Sequence, residues 1–401
     1  MARVHWGMVA LLAFCFAPRT GQGQVDPKKR ELVEVGYSAQ LEGSAPLTGY
    51  GFYYLNKPGF PGTNETLRLA VGPTYLDSEL GFREVLGANT DLGINFSGGG
   101  YRDTYHEYRL GKYFREESFD GFRAQTGLGL YHLFNPGYQI PLYGVLSPAA
   151  RFVSYEENPH TADNFIVPDN RGMFTVRTGL RWGGRPMALF PDKAMELSVW
   201  YEGYFRTDPQ TYGFGDRQIE SQSHLFWANA YLAYHLFKWK HQFAVNLTGG
   251  TAIEADRLSA YRLGGFLPLA SEFPLSLPGY FYQELSAKDF ALFGGNYTIP
   301  VSQNRRWNIN FAAATAYVDY LPGLEQPGHW NSGVGGGVFY TSKVWRALLD
   351  YGYGIDAIRT HGRGANAIYL LLQLDLGPAK EAYKRADPPG FWRGLQNVLG
   401  G

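Results

Sequence analysis

Residues 261–301 read YRLGGFLPLASEFPLSLPGYFYQELSAKDFALFGGNYTIPV. A strand-like segment ends there at the glycine pair Gly264 and Gly265, and a leucine- and proline-rich stretch then leads to Gly279 and Tyr280. Paired glycines permit a positive φ or a close approach of two backbones, and a glycine after a proline permits a sharp bend. The apolar side chains between these glycines are too numerous to leave exposed on a surface loop. The stretch therefore predicts a long loop that folds back into the interior of a β-barrel.

The N-terminal segment 1–24 has the features of a secretory signal peptide. Arg3 gives it a basic start, residues 6–17 form an apolar run, and small residues follow at a possible cleavage site. A helix of that run rises only about 18 Å against a hydrocarbon core of roughly 30 Å, so a membrane anchor is the weaker alternative. Cleavage would remove Cys15, the sole cysteine, and leave a secreted chain without disulfides.

The composition excludes two classes of protein. Lysine plus arginine and aspartate plus glutamate both number 36, so there is no basic surplus for nucleic-acid binding. No apolar run near 18 residues follows the signal segment, which argues against a helical membrane protein. The 51 glycines and the 16% aromatic content fit either a soluble β-sandwich array or a membrane β-barrel.

Long alternating segments favour the membrane barrel. One face of residues 344–356 is entirely apolar or aromatic, whereas the other is mixed, and the last strand repeats this pattern. Such segments have the length that a tilted strand needs to cross a bilayer, whereas strands of globular domains average about five or six residues. The predicted lipid-facing side chains of these two strands are Trp345, Ala347, Leu349, Tyr351, Tyr353 and Ile355, and then Ile368, Leu370, Leu372, Leu374 and Leu376.

A closed barrel of even strand number follows from the segments. The candidate strands are 32–41, 47–55, 65–76, 90–98, 104–113, 120–134, 148–155, 173–182, 194–206, 221–236, 240–251, 257–263, 288–300, 306–318, 329–341, 344–356 and 366–376. Bacterial single-chain barrels have even numbers, so we expect either 104–113 or 148–155 to be loop. The fold class is then all-β: a transmembrane antiparallel β-barrel of about 16 strands over residues 25–377, with an inward-folded loop and a short helical C-terminal tail over 378–401.

The order of motifs in the C-terminal third resembles the BamA/TamA family of outer-membrane assembly barrels, the bacterial surface antigen superfamily. In that family a glycine pair precedes a long loop that tucks into the lumen. The arginine of the family's loop motif is replaced here by Pro278. The features that carry the resemblance are the glycine pair Gly264-Gly265, the loop end Gly279-Tyr280, the strand motif Tyr317-Val318-Asp319, and a glycine-rich terminal hairpin over 332–354.

The resemblance implies both a contact and a function. It implies that Tyr317 and Asp319 lie near the loop, with Asp319 facing the lumen, and that the barrel aids insertion or translocation of protein or lipid at the outer membrane of a Gram-negative-type bacterium. Residues 25–31 leave no room for a POTRA domain before the first predicted strand. We therefore expect a separate periplasmic partner protein to supply substrate recognition, with outer-membrane lipid as the other partner and nucleic acid as none.

A passive pore or a structural barrel is the alternative function. It is favoured by Pro278 in place of the family's arginine and by a polar lumen, since barrel interiors are ordinarily polar. The side chains predicted to line the lumen are Glu196, Glu202, Arg206, Arg177 and Arg181.

Enzymatic chemistry is not expected. His329, Asn331 and Ser332 stand together, but on an alternating strand Ser332 points away from the other two, so a catalytic triad cannot close. No phosphate-binding glycine loop precedes a helix, and no cysteines or histidines have the spacing of metal ligands. We expect no catalytic residues, no cofactor and no metal.

Overall fold

The computed structural model describes residues 28–385, except 47, 101–102, 187, 237–240 and 270. The predicted signal peptide and the last part of the predicted tail lie outside the described residues. In the described part, the chain forms twenty strands and one helix, α1 (Leu376–Arg385).

Most of these strands belong to one antiparallel sheet that closes on itself. The first strand pairs with the second and also with the last, and this second pairing closes the barrel. The strands are β1 (Arg30–Gln40), β2 (Thr48–Pro58), β3 (Glu65–Val71), β4 (Tyr75–Phe82), β5 (Thr90–Gly99), β6 (Tyr105–Arg109), β7 (Lys112–Leu133), β8 (Leu142–Glu157), β9 (Arg171–Gly184), β10 (Ala194–Arg206), β11 (Gln210–Tyr212), β12 (Arg217–Ile219), β13 (Gln222–Leu236), β14 (His241–Ile253), β15 (Tyr261–Leu263), β16 (Leu285–Pro300), β17 (Trp307–Tyr320), β18 (Trp330–Thr341), β19 (Trp345–Arg359) and β20 (Gly362–Asp375).

The wall of the barrel has sixteen strands, as predicted. Four short strands lie outside it: β6 pairs with an extension of β7, β11 pairs with β12, and β15 pairs with the start of β16. We call the end of the barrel that carries the N-terminus of β1 and helix α1 the base, and the opposite end the rim. The four short strands all lie at the rim, because they belong to the long connections between wall strands that begin or end there.

The predicted number was right although some assignments were wrong. The segment 148–155 is part of the full wall strand β8, whereas 104–113 and 257–263 correspond to β6 and β15 outside the wall. The segment 65–76 contains the whole of the wall strand β3 and the start of the next, β4. A turn of only three residues separates them, and apolar residues flank it on both sides, so alternation alone did not reveal the break.

The predicted outer and inner faces are confirmed in the last two wall strands, except that Leu376, predicted on the outer face of the last strand, is the first residue of helix α1. Leu349 is 57% exposed on the outside, whereas its neighbour Leu348 is fully buried inside. In β20, Ile368 and Leu370 face outwards and Tyr369 faces the lumen. The outer surface is therefore apolar, as lipid contact requires.

The C-terminal helix lies against the base of the barrel. Helix α1 contacts β1 and β20, and Lys380 forms an ion pair with Glu31 at 2.5 Å. In the described part of the chain, no helix is both long and apolar enough to cross a membrane.

Candidate functional site

The connection between β14 and β16 runs into the lumen, and we call its residues 264–284 the lumen loop. It begins directly after β15, where Gly264 and Gly265 have φ values of 136° and 65°. The Gly264 N–H donates to the Leu275 carbonyl at 3.0 Å, and the Leu277 N–H donates to the Gly265 carbonyl at 2.9 Å. A Cβ on Gly264 would come within 2.2 Å of a backbone oxygen, so this tight start requires glycine.

The turn at 277–280 docks on a groove of glycines in the wall. Gly279 has φ 83°, and its N–H donates to the Tyr369 hydroxyl at 2.7 Å. A Cβ on the wall residue Gly333 would lie 2.1 Å from the Pro278 carbonyl oxygen. Leu277 and Tyr280 are fully buried in this contact. The wall therefore admits the backbone of the loop only because it lacks side chains at that place.

A buried ion pair fixes the end of the lumen loop. Arg359 from β19 makes a bidentate contact with Glu284 at 2.8 and 3.0 Å, and the guanidinium lies 3.7 Å from the Phe281 ring centroid. The Phe281 N–H also donates to the Glu284 carboxylate at 2.8 Å. Both members of the pair are almost fully buried, so each charge depends on the other.

The middle of the loop reaches the opposite wall. Glu272 accepts hydrogen bonds from Arg177, at 3.0 Å, and from Arg181, both on β9. The barrel around Glu272 excludes part of the bulk water and would by itself raise its pKa, but the two guanidiniums outweigh this effect and lower the pKa to about 2. Phe273 packs edge-on against Trp227, with 4.4 Å between the ring centroids. We call Glu272 and Phe273 the tip of the loop.

The two contact regions lie on opposite sides of the barrel. In wall order β9 is the eighth strand, whereas β19 and β20 are the fifteenth and sixteenth. The lumen loop thus crosses the lumen as a bar, with its tip on β9 and its docked turn on the far wall.

The charged residues predicted to line the lumen face inwards. Arg177 also approaches Glu202 at 3.3 Å, and Arg181 approaches Glu196 at 3.4 Å. Arg206 lies nearer the rim and pairs with Asp256 at 3.0 Å. The sequence indicated the lumen-facing set but not its link to Glu272.

The expected loop contact of Tyr317 and Asp319 is not formed, because both lie on the outer face of β17. Tyr317 is 41% exposed, whereas Val318 is fully buried on the lumen side. Asp319 is paired across the sheet with Asp289. The alanine run 312–314 concealed the phase of the alternation in this strand, and the family's contact partner is replaced by Pro278.

His329 lies directly before β18 and contacts residues of β17. The Nδ1 of His329 lies 2.8 Å from the Val318 carbonyl, and the ring stacks on Tyr317. Asn331 donates to the Tyr320 hydroxyl at 2.8 Å, whereas Ser332 contacts Thr315. Within the described residues, no group of three histidine, cysteine or acidic side chains could hold a metal ion.

A second segment fills the lumen from the base, which the sequence did not reveal. The turn 185–193 between β9 and β10 inserts Leu189 and Phe190 into the barrel, where they join one buried cluster with Phe266 and Leu267 of the lumen loop. Arg346 donates to the Leu189 carbonyl at 2.6 Å. We call 185–193 the base turn. The base turn has the length of an ordinary connection between strands. Only the burial of its two apolar residues distinguishes it from a surface turn.

The remaining lumen is a cavity of about 1280 Å³ beside the loop. Its lining includes Gly72 and Thr74 at the rim as well as Arg30 and Asn56 near the base, so it extends along the wall of β2 to β4. Charges of both signs line it, namely Arg30, Arg68, Arg177, Arg181 and Arg185 with Asp77, Glu79, Glu196, Glu202 and Glu272.

Comparisons with known proteins place this fold. No family model matches the sequence, and no curated protein matches it. Among solved structures, the chain is similar to CdiB from Acinetobacter baumannii, with a TM-score of 0.60 and 12% identity over 87% of this chain and 60% of that chain. It is also similar to BamA from Haemophilus ducreyi lacking POTRA domains 1-3, with a TM-score of 0.55 and 11% identity over 87% of this chain and 70% of that chain.

A third match, CdiB from Escherichia coli, has a TM-score of 0.59 and 11% identity over 87% of this chain and 63% of that chain. The chain spans about 60% of the length of the two CdiB structures. It has the fold of the BamA and CdiB barrels, in agreement with the resemblance seen in its motifs.

Proposed function

We propose that this chain acts in the outer membrane of a Gram-negative-type bacterium as a barrel that aids insertion or translocation of protein or lipid, as its resemblance to BamA/TamA-type proteins implies. The observation that carries the proposal is the lumen loop, which crosses a barrel of this fold and contacts both sides of it. A bar of this kind narrows the passage at rest and widens it when one of its contacts is released.

Strand pairing in the wall does not favour a route by lateral opening at the junction of first and last strands. Nine residue pairs join β1 to β20, from Leu32 and Asp375 to Gln40 and Ala367. Gln373 donates to Glu34 across this junction at 2.5 Å. The shortest ladder in the wall is that of β2 and β3, with six pairs. Lateral opening at the junction would break more hydrogen bonds than opening at β2 and β3.

A periplasmic partner protein is part of the proposal. The base turn inserts into the lumen at the base, the end proposed to face the periplasm, and a partner that binds there would be placed to displace it. Arg346 and Gln242 donate to backbone carbonyls of Leu189, Phe190 and Pro191, and the Leu189 N–H donates to Gln373, so a partner that displaces the turn must offer acceptors to the Arg346 cation. The apolar outer face is the proposed contact with outer-membrane lipid.

A passive pore is the second candidate. The cavity of about 1280 Å³ favours it, since its lining includes residues at the rim and residues near the base. A small solute would then pass through the cavity beside the lumen loop without displacing the loop.

Planar-bilayer conductance of the refolded barrel separates the two candidates. The translocation proposal expects low conductance in the intact protein and a large increase after deletion of 267–282, because the deletion removes the bar. Large and steady conductance of the intact protein, unchanged by the deletion, would support the pore instead. Heat-modifiable migration on a gel verifies that both proteins are folded.

A further inference from the structure

Arg177 and Arg181 form a pair of cations that together hold one carboxylate. They lie four residues apart on β9, so their side chains project from the same face of the strand into the lumen. One oxygen of Glu272 accepts from the Arg177 Nη1 at 3.0 Å and the other accepts from the Arg181 Nη2. The Nε edges face Glu202 and Glu196 at 3.3 and 3.4 Å. The wall carboxylates therefore compensate the charge at the inner edges without accepting a hydrogen bond from either Nε among the described residues, while Glu272 accepts from the edges that face the cavity.

Aromatic rings of the wall pack against both guanidiniums, and the Phe273 ring of the loop tip lies 5.5 and 5.4 Å from them. The Arg177 guanidinium lies 4.2 Å from the Trp200 ring centroid, and the Arg181 guanidinium lies 5.3 Å from it. Trp200 is buried and stacks on Trp227. In addition, the Nη2 of Arg177 is buried without a hydrogen-bond acceptor among the described residues. The pair is thus preorganised, and its donors are not fully used by Glu272.

Glu272 occupies this pair as a replaceable ligand. Its side chain is 46% exposed to the cavity, in contrast to the buried residues at the docked end of the loop. The cavity of about 1280 Å³ reaches both guanidiniums, so a solute can approach them directly. An arginine fork accepts carboxylate and phosphate oxygens with similar geometry.

We propose that Arg177 and Arg181 form an oxyanion-binding site in the lumen wall, which Glu272 of the lumen loop occupies at rest. A ligand that presents a carboxylate or a phosphate replaces Glu272 and frees the tip. The lumen would then bind anionic ligands at this site. This proposal does not depend on whether the barrel translocates protein, translocates lipid or conducts solutes.

Competition between an added ligand and the tethered Glu272 carboxylate leads to a quantitative expectation. A group tethered close to its site has an effective concentration on the order of millimolar, and it lowers the apparent affinity of any competing ligand. Loss of the Glu272 charge in Glu272→Gln should therefore tighten oxyanion binding, by about tenfold or more, whereas loss of an ordinary ligand-binding residue would weaken it.

Isothermal titration calorimetry on the refolded full-length chain tests the site, with inorganic phosphate and N-acetylglutamate as probes and chloride at matched ionic strength. We expect tighter binding in Glu272→Gln than in the unaltered chain, and loss of binding when Arg177→Gln and Arg181→Gln are added to it. Preference for phosphate indicates a phosphorylated lipid or sugar, and preference for N-acetylglutamate indicates an acidic peptide.

Arg68→Gln is the matched control, because Arg68 lines the same cavity but is paired with Asp77 and Glu79 of the neighbouring strand. It should leave oxyanion binding to the Glu272→Gln background unchanged. Binding that is no tighter in Glu272→Gln than in the unaltered chain would overturn the proposal, as would equal loss of binding in the Arg68 control.

The release of the tip has its own readout. Phosphate at matched ionic strength should increase conductance fluctuations of the unaltered chain in planar bilayers, while Glu272→Gln should fluctuate at the higher level without phosphate. Equal fluctuations with and without phosphate in a chain shown to bind it would contradict the coupling of the site to the tip.

Discussion

The docked end and the tip of the lumen loop are held by different kinds of interaction. The docked end, 277–284, lies in a groove of wall glycines and ends in the pair of Glu284 with Arg359, whose side chains are 0% and 3% exposed. The tip is held by Glu272, whose side chain is 46% exposed, and by Phe273 against the lumen tryptophans. One end is therefore built as a permanent attachment and the other as a contact that water and ions can reach.

The difference shows where movement should begin. Removing one partner of a buried ion pair leaves an uncompensated charge in a dry environment, whereas an exposed pair is screened by water and salt. A force on the loop will thus release the tip long before the docked end. The glycine pair at 264–265 and the pair of Glu284 with Arg359 become the fixed points about which the tip swings.

The largest effect should come from Arg359→Gln at the docked end. The substitution leaves the Glu284 carboxylate buried without its cation, so we expect a loss of about 3–5 kcal/mol in the free energy of unfolding. Denaturant unfolding of the refolded barrel, followed by tryptophan fluorescence, measures it.

Arg363→Gln is the matched control for this change. Arg363 lies four residues further along the chain and approaches Asp356 at 3.7 Å, but its side chain is 60% exposed. Its loss should cost at most about 1 kcal/mol. Equal destabilisation by the two substitutions would show that the Glu284 pair does not anchor the loop.

The next largest effect should come from Gly333→Ala in the wall groove. The new Cβ would lie 2.1 Å from the Pro278 carbonyl oxygen, so the turn must move away from the wall. We expect a loss of about 1–3 kcal/mol in the free energy of unfolding. A cysteine introduced by Ser276→Cys in a Cys15→Ser background should also react faster with a water-soluble maleimide.

Gly336→Ala serves as the control in the same strand, because its Cβ would meet other atoms only at 3.6 Å or more. It should change neither stability nor labelling appreciably. Labelling at position 276 that matches the rate of a Gly362→Cys variant at the rim, even in unaltered Gly333, would contradict the docking of the loop inside the barrel.

A smaller effect is expected from Phe273→Ala at the tip. The aromatic contact with Trp227 and Trp200 contributes on the order of 0.5–1.5 kcal/mol, and its loss leaves the docked end intact. Conductance fluctuations in planar bilayers should increase while unfolding changes little. Phe293→Ala, on the lipid-facing side of β16, should leave the fluctuations unchanged, and an equal increase there would assign them to the bilayer instead.

Much of the barrel could be predicted from the sequence, because its strands alternate with period two and cross a layer of fixed thickness. Leu349 and Ile368 were placed on the outer face from this pattern alone, and the inward loop followed from the glycines and the apolar stretch between them. The break between β3 and β4 was missed, since a three-residue turn between apolar strands leaves the pattern almost uninterrupted.

The contacts that hold the loop could not be predicted. Glu272 is more than 90 residues from Arg177 and Arg181, and alternation says only that the arginines face the lumen, not which residue they meet. The base turn was missed for the same reason. Asp319 was misplaced because an alanine run carries no contrast between the faces of a strand. Pairing across a lumen depends on the three-dimensional path of the loop, which no local pattern records.

The smallest effect should be that of moderate acid on the tip. Glu272 has a pKa of about 2 in the folded barrel against an ordinary value of 4.5, so its contact is fully present above pH 4.5 and is lost as the pH falls through about 2. Conductance fluctuations should therefore stay constant from about pH 8 to pH 5 and rise only in stronger acid.

The wall carboxylates Glu196 and Glu202 also face the two arginines, so the Glu272→Gln variant is needed to isolate the contribution of the tip. That variant should show no comparable rise as the pH falls below about 4.5, and a rise near pH 6 in the unaltered chain would mean that another group holds the tip.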